Sequence, residues 1–357
     1  MSPSFLATLG YFLAILVVLV LAHELGHFVT AKRAGVKVLE FGVGYPPRLF
    51  GIRRGETVYS VNLVPLGGFV KMAGEEDPSV QGSLAGKSIP TRLLVLSAGS
   101  IMNALLPILL FSIAFMVPQQ VQRGQVMVQQ VAPGSPAEQA GLKSSDVITS
   151  VDGRRIRGLD DLFVAVNLNL GADTKVVAQR GRWEQVVVHL VPRWAPPQGQ
   201  GPIGIGIALA NPRTESASDP FWRAIPKAVR KTGDSFVLMK NSLESILIKK
   251  NKPQGAIVTG PIGIAQMTGE VARSGVANLL DWTAFLSLNL AIINILPIPM
   301  LDGGRVFFVV LEAARRGKRI PPEREGLVHL IGLVVLLTLV FIVSYFDILR
   351  IIRGTGL

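Results

Sequence analysis

Phe5-Leu-Ala-Thr-Leu-Gly-Tyr-Phe-Leu-Ala-Ile-Leu-Val-Val-Leu-Val-Leu-Ala22 runs without a charge into His23-Glu24-Leu25-Gly26-His27. At about 1.5 Å per residue, eighteen apolar residues come close to a hydrocarbon core of ~30 Å, so the run reads as a membrane helix. A cleaved leader fits poorly: no basic residue precedes the run and no small-residue cleavage site follows it before His23. Polar side chains at the end of an apolar span are expensive unless they are partnered. His23 and His27 are four residues apart, on one face of a helix, where both imidazoles can reach one metal ion with Glu24 beside them to polarise a water. H-E-x-x-H on a helix is the pattern of a zinc-dependent hydrolase.

Three more apolar runs follow, and the chain divides as 1–31 (first span with H-E-x-x-H), 32–92 (cytoplasmic sheet and loop), 93–117 (second span), 118–210 (extracytoplasmic domain), 211–278 (amphipathic membrane-surface region), 279–311 (third span, interrupted by Pro297 and Pro299), 312–326 (cytoplasmic loop) and 327–347 (fourth span). The expected fold class is a polytopic α-helical membrane protein with four membrane helices, a small cytoplasmic β-sheet and an extracytoplasmic α/β domain. With 49% hydrophobic and 17% charged residues, the composition excludes a disordered chain. There is no cysteine, which removes disulfides, thiolate metal sites and cysteine nucleophiles. The net charge of +12 is read as loops facing anionic lipid, with no nucleic-acid partner. Lys32, Arg33, Lys37, Arg48, Arg53, Arg54, Lys71, Lys87 and Arg92 lie in one short loop region, and Arg315, Arg316, Lys318, Arg319 and Arg324 in another. The bias of Lys and Arg toward the cytoplasm puts both loops there, both termini outside, and His23 near the cytoplasmic side of a multi-pass protein of the cell membrane.

Three soluble stretches are legible. Ser135-Pro-Ala-x-x-Ala-Gly-Leu-x-x-x-Asp146-Val-Ile-x-x-Val-Asp-Gly153, with a helix over 159–169 and a strand over 183–191, looks like a PDZ domain; Pro202-Ile-Gly-Ile-Gly-Ile207 is an extra strand or a loop for a peptide carboxylate. The region 36–72 alternates and predicts two or three short strands, with a mobile loop over 74–88. Residues 221–252 predict an interfacial helix or helix pair closed by Lys249, Lys250 and Lys252.

A catalytic zinc takes three protein ligands and leaves one position for water. His189 falls in the extracytoplasmic domain. His329 at the start of the fourth span, Glu312 at the edge of the third, and Asp302 inside the third remain as ligand candidates. Parity favours Asp302: spans one and three run in the same direction, and Asp302 and His23 follow apolar runs of similar length. An ion pair of Asp302 with Arg305 at i+3 is the structural alternative, and the two roles are compatible.

His23-Glu-Leu-Gly-His27, Asn294-x-x-Pro297-x-x-x-Leu301-Asp302-Gly303-Gly304 and a PDZ between the second and third spans resemble the bacterial site-2 proteases, zinc intramembrane metalloproteases of regulated proteolysis, in the single-PDZ regulator-of-sigma-factor type. The resemblance covers essentially the whole chain. It implies that His23, His27 and Asp302 bind Zn2+ and that Glu24 is the catalytic acid/base. It also implies that Asn294, with Pro297, contacts the substrate backbone. Gly67-Gly68-Phe69-Val70-Lys-Met72 looks like the family's membrane-associated edge strand, so Gly68, Phe69 and Val70 are substrate-binding candidates. In the second span, Gly99-Ser100-Ile-Met-Asn103 departs from the family's pattern at Ser100 but keeps Asn103, carried over as a further active-site polar residue and a substrate-binding candidate. The implied partners are the bilayer, transmembrane substrates such as anti-sigma factors or signal-peptide remnants after a first extracytoplasmic cut, and a peptide C-terminus at the PDZ. Two other classes compete. A zinc transporter predicts a second polar row along the spans, where only Asn103, Asn289 and Asn294 stand, and a PDZ-bearing scaffold predicts a missing ligand or Glu.

Overall fold

The computed structural model describes residues 5–75, 77–197, 199–247 and 259–353. They divide into two compact units, one made of residues 1–114 and 258–357 and the other of 115–257.

In the first unit, α1 (Phe5–Arg33) carries the H-E-x-x-H motif within one continuous helix. Two long strands follow, β1 (Val38–Arg54) and β2 (Thr57–Met72), in place of two or three short ones. Both bend back on themselves. The first half of β1 pairs on one side with the start of β2 (Phe41 with Tyr59) and on the other with its end (Phe41 with Val70), while the second half of β1 pairs with the start of β2 (Ile52 with Tyr59). The segment 68–72 is therefore an edge. The stretch 74–88, expected to be a mobile loop, is tied down at several of its described residues. Lys37 N donates to Gly82 O, Leu84 N to Ala73 O and Ala85 N to Gly74 O, while Leu84 and Ala85 are buried. Ala31, Val36, Val38, Met72, Leu84, Val95, Leu96 and Val309 form one apolar cluster, which fastens the end of α1 to the sheet and to α2 (Ile89–Met116).

The second unit opens with β3 (Gln119–Val131), the short α3 (Pro136–Gln139), β4 (Val147–Val151), β5 (Arg154–Arg155) and α4 (Leu159–Leu168). β6 (Thr174–Arg180), β7 (Glu184–Leu190) and β8 (Ile205–Ala217) complete a sheet of order β7-β6-β4-β3-β8, with β5 on β4. β6 is not legible in the sequence, because Thr174-Lys-Val-Val-Ala-Gln-Arg180 has no turn signal ahead of it as clear as those around β4. β8 runs past residue 210 because Gln119–Arg123 pairs with Arg213–Ala217. The fully buried Asp146 accepts two hydrogen bonds from Arg180 at 2.8 Å. Burial pushes its carboxyl up, but the Arg180 guanidinium and the Lys143 N–H prevail and hold it below the usual carboxylate range. A single helix, α5 (Phe221–Leu247), follows; it buries Ala224, Ala228, Thr232 and Asn241 and exposes Phe221, Trp222, Ile225 and Val229. Lys249, Lys250 and Lys252, expected to close it, lie outside the described residues.

The chain then returns to the first unit. α6 (Pro261–Arg273) belongs there and not to a surface region ending at 278: Gly269 packs against Thr8 of α1, and Trp282 Nε1 donates to Thr268 Oγ1 at 2.9 Å. α7 (Val276–Ile295) and α8 (Asp302–Ala314) are the two halves of the interrupted third run. α9 (Pro322–Arg353) extends beyond its apolar centre at both ends. Pro322 suits a first helical position, and Glu323 and Glu325 at the start with Arg350 and Arg353 at the end complement the helix dipole. Asp347 is the buried residue of α9 among those described, and it accepts the Gly260 and Gly263 N–H groups at 2.9 Å each, capping α6 from another helix. Among the described residues α1, α2, α7 and α9 are the four helices long and apolar enough to cross a membrane.

Candidate metal centre

The two histidines rise from the inner face of α1, and α2 crosses it closely enough to hold both. His27 Nδ1 lies 2.8 Å from the Val95 carbonyl and so donates to it. Gly99, one turn further along α2, faces the two rings: a Cβ there would strike His27 Nε2 and lie 2.5 Å from His23 Cε1 and Nε2. Asn103, a turn further again, places its carboxamide nitrogen 3.3 Å from His23 Nδ1. Val95, Gly99 and Asn103 are thus one face of α2 turned on both imidazoles. Gly99→Ala should raise helix propensity by up to ~1 kcal/mol and leave the protein folded, yet lower zinc retention about tenfold or more by displacing the rings. Thermal stability and elemental analysis, read together, check this; full zinc in Gly99→Ala would show that the rings can yield.

The third group arrives through the break between α7 and α8. Pro297 disfavours helix for the residue before it, and Leu296 is extended at φ −65°, ψ 146°. The chain then turns sharply: Ile298 N donates to Leu296 O, Leu301 N to Ile298 O, and Met300 takes a positive φ of 78°. α8 folds back so tightly that a Cβ on Gly303 would overlap the Leu296 carbonyl oxygen, and one on Gly304 would sit 2.6 Å from the Ile298 oxygen. Glycine at both positions is what lets Asp302, in the first turn of α8, face α1.

Asp302 Oδ2 lies 2.9 Å from His23 Nε2 and 3.1 Å from His27 Nε2, and the two nitrogens are 3.2 Å apart. Four-coordinate zinc with bonds of ~2.0–2.1 Å separates its ligands by roughly 3.3 Å, close to this triangle. The donor set asks for a cation. With the His27 proton committed to Val95, Nε2 presents a lone pair to a carboxylate oxygen and to a second imidazole nitrogen, an arrangement that repels unless something positive sits between them. Among the described residues this is the one cluster of three His, Cys, Asp or Glu with metal-ligand spacing.

Glu24 is half-buried beside the cluster, and among the described residues its carboxylate has no hydrogen bond or ion pair, so it is available as a base. Gly68 of the edge strand packs onto it: a Cβ there would lie 3.1 Å from Glu24 Cγ. Phe69 lays its ring over Gly42, Val70 packs on the apolar cluster, and Asn294, in the last turn of α7, has its amide nitrogen 3.5 Å from His23 Nδ1. The other ligand candidates are engaged elsewhere. His329 Nδ1 accepts from Met300 N at 2.8 Å, Glu312 pairs with Arg92 and Arg319, and His189 pairs with Asp173. Arg305 does not pair with Asp302; it reaches Glu75 Oε2 at 2.6 Å, and the other oxygen of Glu75 accepts from Met72 N. The edge strand and the helix of Asp302 are so joined through one carboxylate.

Residues 11–339 match the model of peptidase family M50. The chain belongs to that family, the site-2 proteases. The relatives agree. A Clostridium perfringens protein, named among the zinc metalloproteases, is 34% identical over 93% of this chain and 95% of its own. The zinc metalloprotease RasP of Oceanobacillus iheyensis and the regulator of sigma-W protease RasP of Bacillus subtilis are each 29% identical over 97% of this chain and 99% of their own. This M50 protein is a multi-pass membrane protein and a zinc metalloprotease.

Proposed function

We propose that the chain is an intramembrane endopeptidase that cuts the transmembrane segments of single-span proteins after a first extracytoplasmic cut. The observation that carries the reading is the His23–His27–Asp302 triangle, with Glu24 beside it, both histidines and Glu24 standing on a helix long and apolar enough to span a bilayer. His23 lies roughly 27 Å along α1 from Phe5, at about 1.5 Å per residue, which puts the centre at the far end of a span. The basic short loops support a cytoplasmic setting for that end and extracytoplasmic termini.

His23, His27 and Asp302 would hold the zinc. When bound, zinc lowers the pKa of a water toward ~7 and polarises the scissile carbonyl. Glu24 takes the proton of the attacking water and hands it to the leaving amine. Asn294, close to the centre and partly exposed, hydrogen-bonds the substrate backbone, with Pro297 shaping the broken helix beside it. Irregular backbone at membrane depth is tolerated around a protein-lined or wet cavity, which hydrolysis requires.

A transmembrane helix hides its carbonyls in its own hydrogen bonds, so a substrate must unwind, and an added strand offsets the groups it exposes. Gly68, Phe69 and Val70 would supply that edge next to Glu24. Met72 N points away from β1, onto Glu75, and the two-residue alternation of a strand puts the Val70 N–H on the same free side. Residues 118–210 act as a PDZ filter; β8 closes the sheet order on one side and offers a second edge, for a freshly cut C-terminus. The name of the Bacillus subtilis relative directs the substrate class toward anti-sigma factors, with signal-peptide remnants as the other single-span class.

The test is cleavage, by the purified protein in detergent, of a single-span substrate stripped of its ectodomain. Cleavage within the span, lost with a chelator and restored by zinc, is expected; an intact substrate under zinc-replete conditions would overturn the reading. In the same assay Val70→Pro should lower cleavage about tenfold, as one outward backbone bond to the substrate is worth ~1 kcal/mol and the ring adds a clash, while Val70→Ala should change little. Wild-type cleavage by a monodisperse, zinc-loaded Val70→Pro protein would leave the substrate held by the helices alone.

A further inference from the structure

His23 and His27 present equivalent nitrogens to the centre, but they are held from behind in different ways. His27 donates its Nδ1 proton to a backbone carbonyl, that of Val95. Behind His23 stand two carboxamides, Asn103 at 3.3 Å and Asn294 at 3.5 Å, both with the nitrogen toward Nδ1. A histidine that ligates through Nε2 keeps its proton on Nδ1, so that nitrogen is a donor and needs an acceptor. A donor facing two further donors is an unsatisfied arrangement. Asn103 has the remedy in its own side chain: its Oδ1 is buried without a hydrogen-bond partner, and a half-turn of the amide exchanges oxygen for nitrogen at the same place.

We infer that Asn103 is the positioning residue of His23, its amide oxygen accepting the Nδ1 proton and thereby aiming Nε2 at the zinc. Three further observations select it over Asn294. Asn103 is 0% exposed, so it has no surface with which to touch a substrate, whereas Asn294 is partly open. Its backbone is fixed from another helix by Ser287 Oγ, which donates to Asn103 O at 2.7 Å. It also stands on the face of α2 that holds His27, so one rigid helix clamps both rings through Val95 and Asn103. Asn294 is then free to turn its amide to the substrate. This role differs from the substrate contact that the resemblance suggests for Asn103, and it rests on His23, His27 and Asp302 holding the zinc.

The test uses the full-length protein in detergent and reads zinc affinity by competition with a chelator, together with the visible spectrum of the cobalt-substituted form. Asn103→Leu keeps the branched shape and removes the acceptor; zinc affinity should fall 10- to 100-fold, the usual worth of such a partner, and the cobalt spectrum should shift. Asn103→Asp keeps the acceptor and strengthens it, and zinc should be held at least as tightly as in the wild type. A role in packing alone predicts the reverse order, with leucine tolerated and the buried carboxylate harmful; that order would overturn the proposal. Asn103→Val, smaller and equally without an acceptor, gives the same reading should leucine prevent folding: loosened zinc supports the role and wild-type affinity overturns it. Full zinc in His23→Ala would overturn the metal site itself, and this proposal with it; zinc lost from His23→Ala but unchanged in Asn103→Leu overturns the positioning role alone.

Discussion

Glu24→Gln should abolish peptide cleavage, by about 10²- to 10⁴-fold, while leaving zinc bound. The amide matches the carboxylate in shape but cannot take a proton from water, and Glu24 is not one of the three groups that converge on the metal position. The side chain is uncommitted among the described residues and neighbours both histidines on one helix, so its loss should not disturb packing. Cleavage of a reconstituted single-span substrate, with zinc measured on the same preparation, decides the matter. Activity near that of the wild type would remove Glu24 from the role of base; loss of zinc along with activity would make it a structural support.

Asp302→Asn should release the zinc. Oδ2 is the point on which His23 Nε2 and His27 Nε2 both converge, at 2.9 and 3.1 Å, and a neutral amide oxygen is a much weaker ligand than a carboxylate. The loss of affinity should exceed the ~100-fold that outer hydrogen-bond partners are worth. The outcome is easy to interpret because Arg305, three residues on, is engaged with Glu75. Removing the Asp302 charge therefore does not deprive that guanidinium of its partner. Full zinc content in Asp302→Asn, by elemental analysis, would exclude Asp302 as a ligand. Arg305→Ala offers a contrast: zinc should stay while the tie between α8 and the end of β2 is lost.

The four helices long and apolar enough to cross a membrane, among the described residues, were legible from the chain alone, because the transfer of an apolar run into hydrocarbon depends on contiguous residues and needs no tertiary partner. The same holds for H-E-x-x-H, whose i and i+4 histidines share a face wherever the helix forms. Asp302 was favoured by the parity of the spans, yet His329 and Glu312 stood at similar depths. Depth is one coordinate, and it does not say which helix faces which. The fold brings Asp302, and neither of those two, onto the histidines: His329 is given to the Met300 N–H and Glu312 to Arg92 and Arg319, while Pro297, Gly303 and Gly304 turn α8 back toward α1. The second and fourth helices run several residues past their apolar runs, since charged residues end an apolar run but not a hydrogen-bonded helix. The loop over 74–88 looks mobile in composition but is fastened by backbone bonds to Lys37 and Ala73 and by Glu75 to Arg305. Such bonds join groups distant in sequence and leave no local pattern. The inward face of α2 is the sharpest case. In sequence, Val95, Gly99 and Asn103 are an aliphatic residue, a small one and a lone amide in an apolar run. Only the approach of α1 makes them a carbonyl acceptor, a clearance for two rings and a partner for His23, because side-chain geometry at a crossing is a property of the pair of helices and belongs to neither alone.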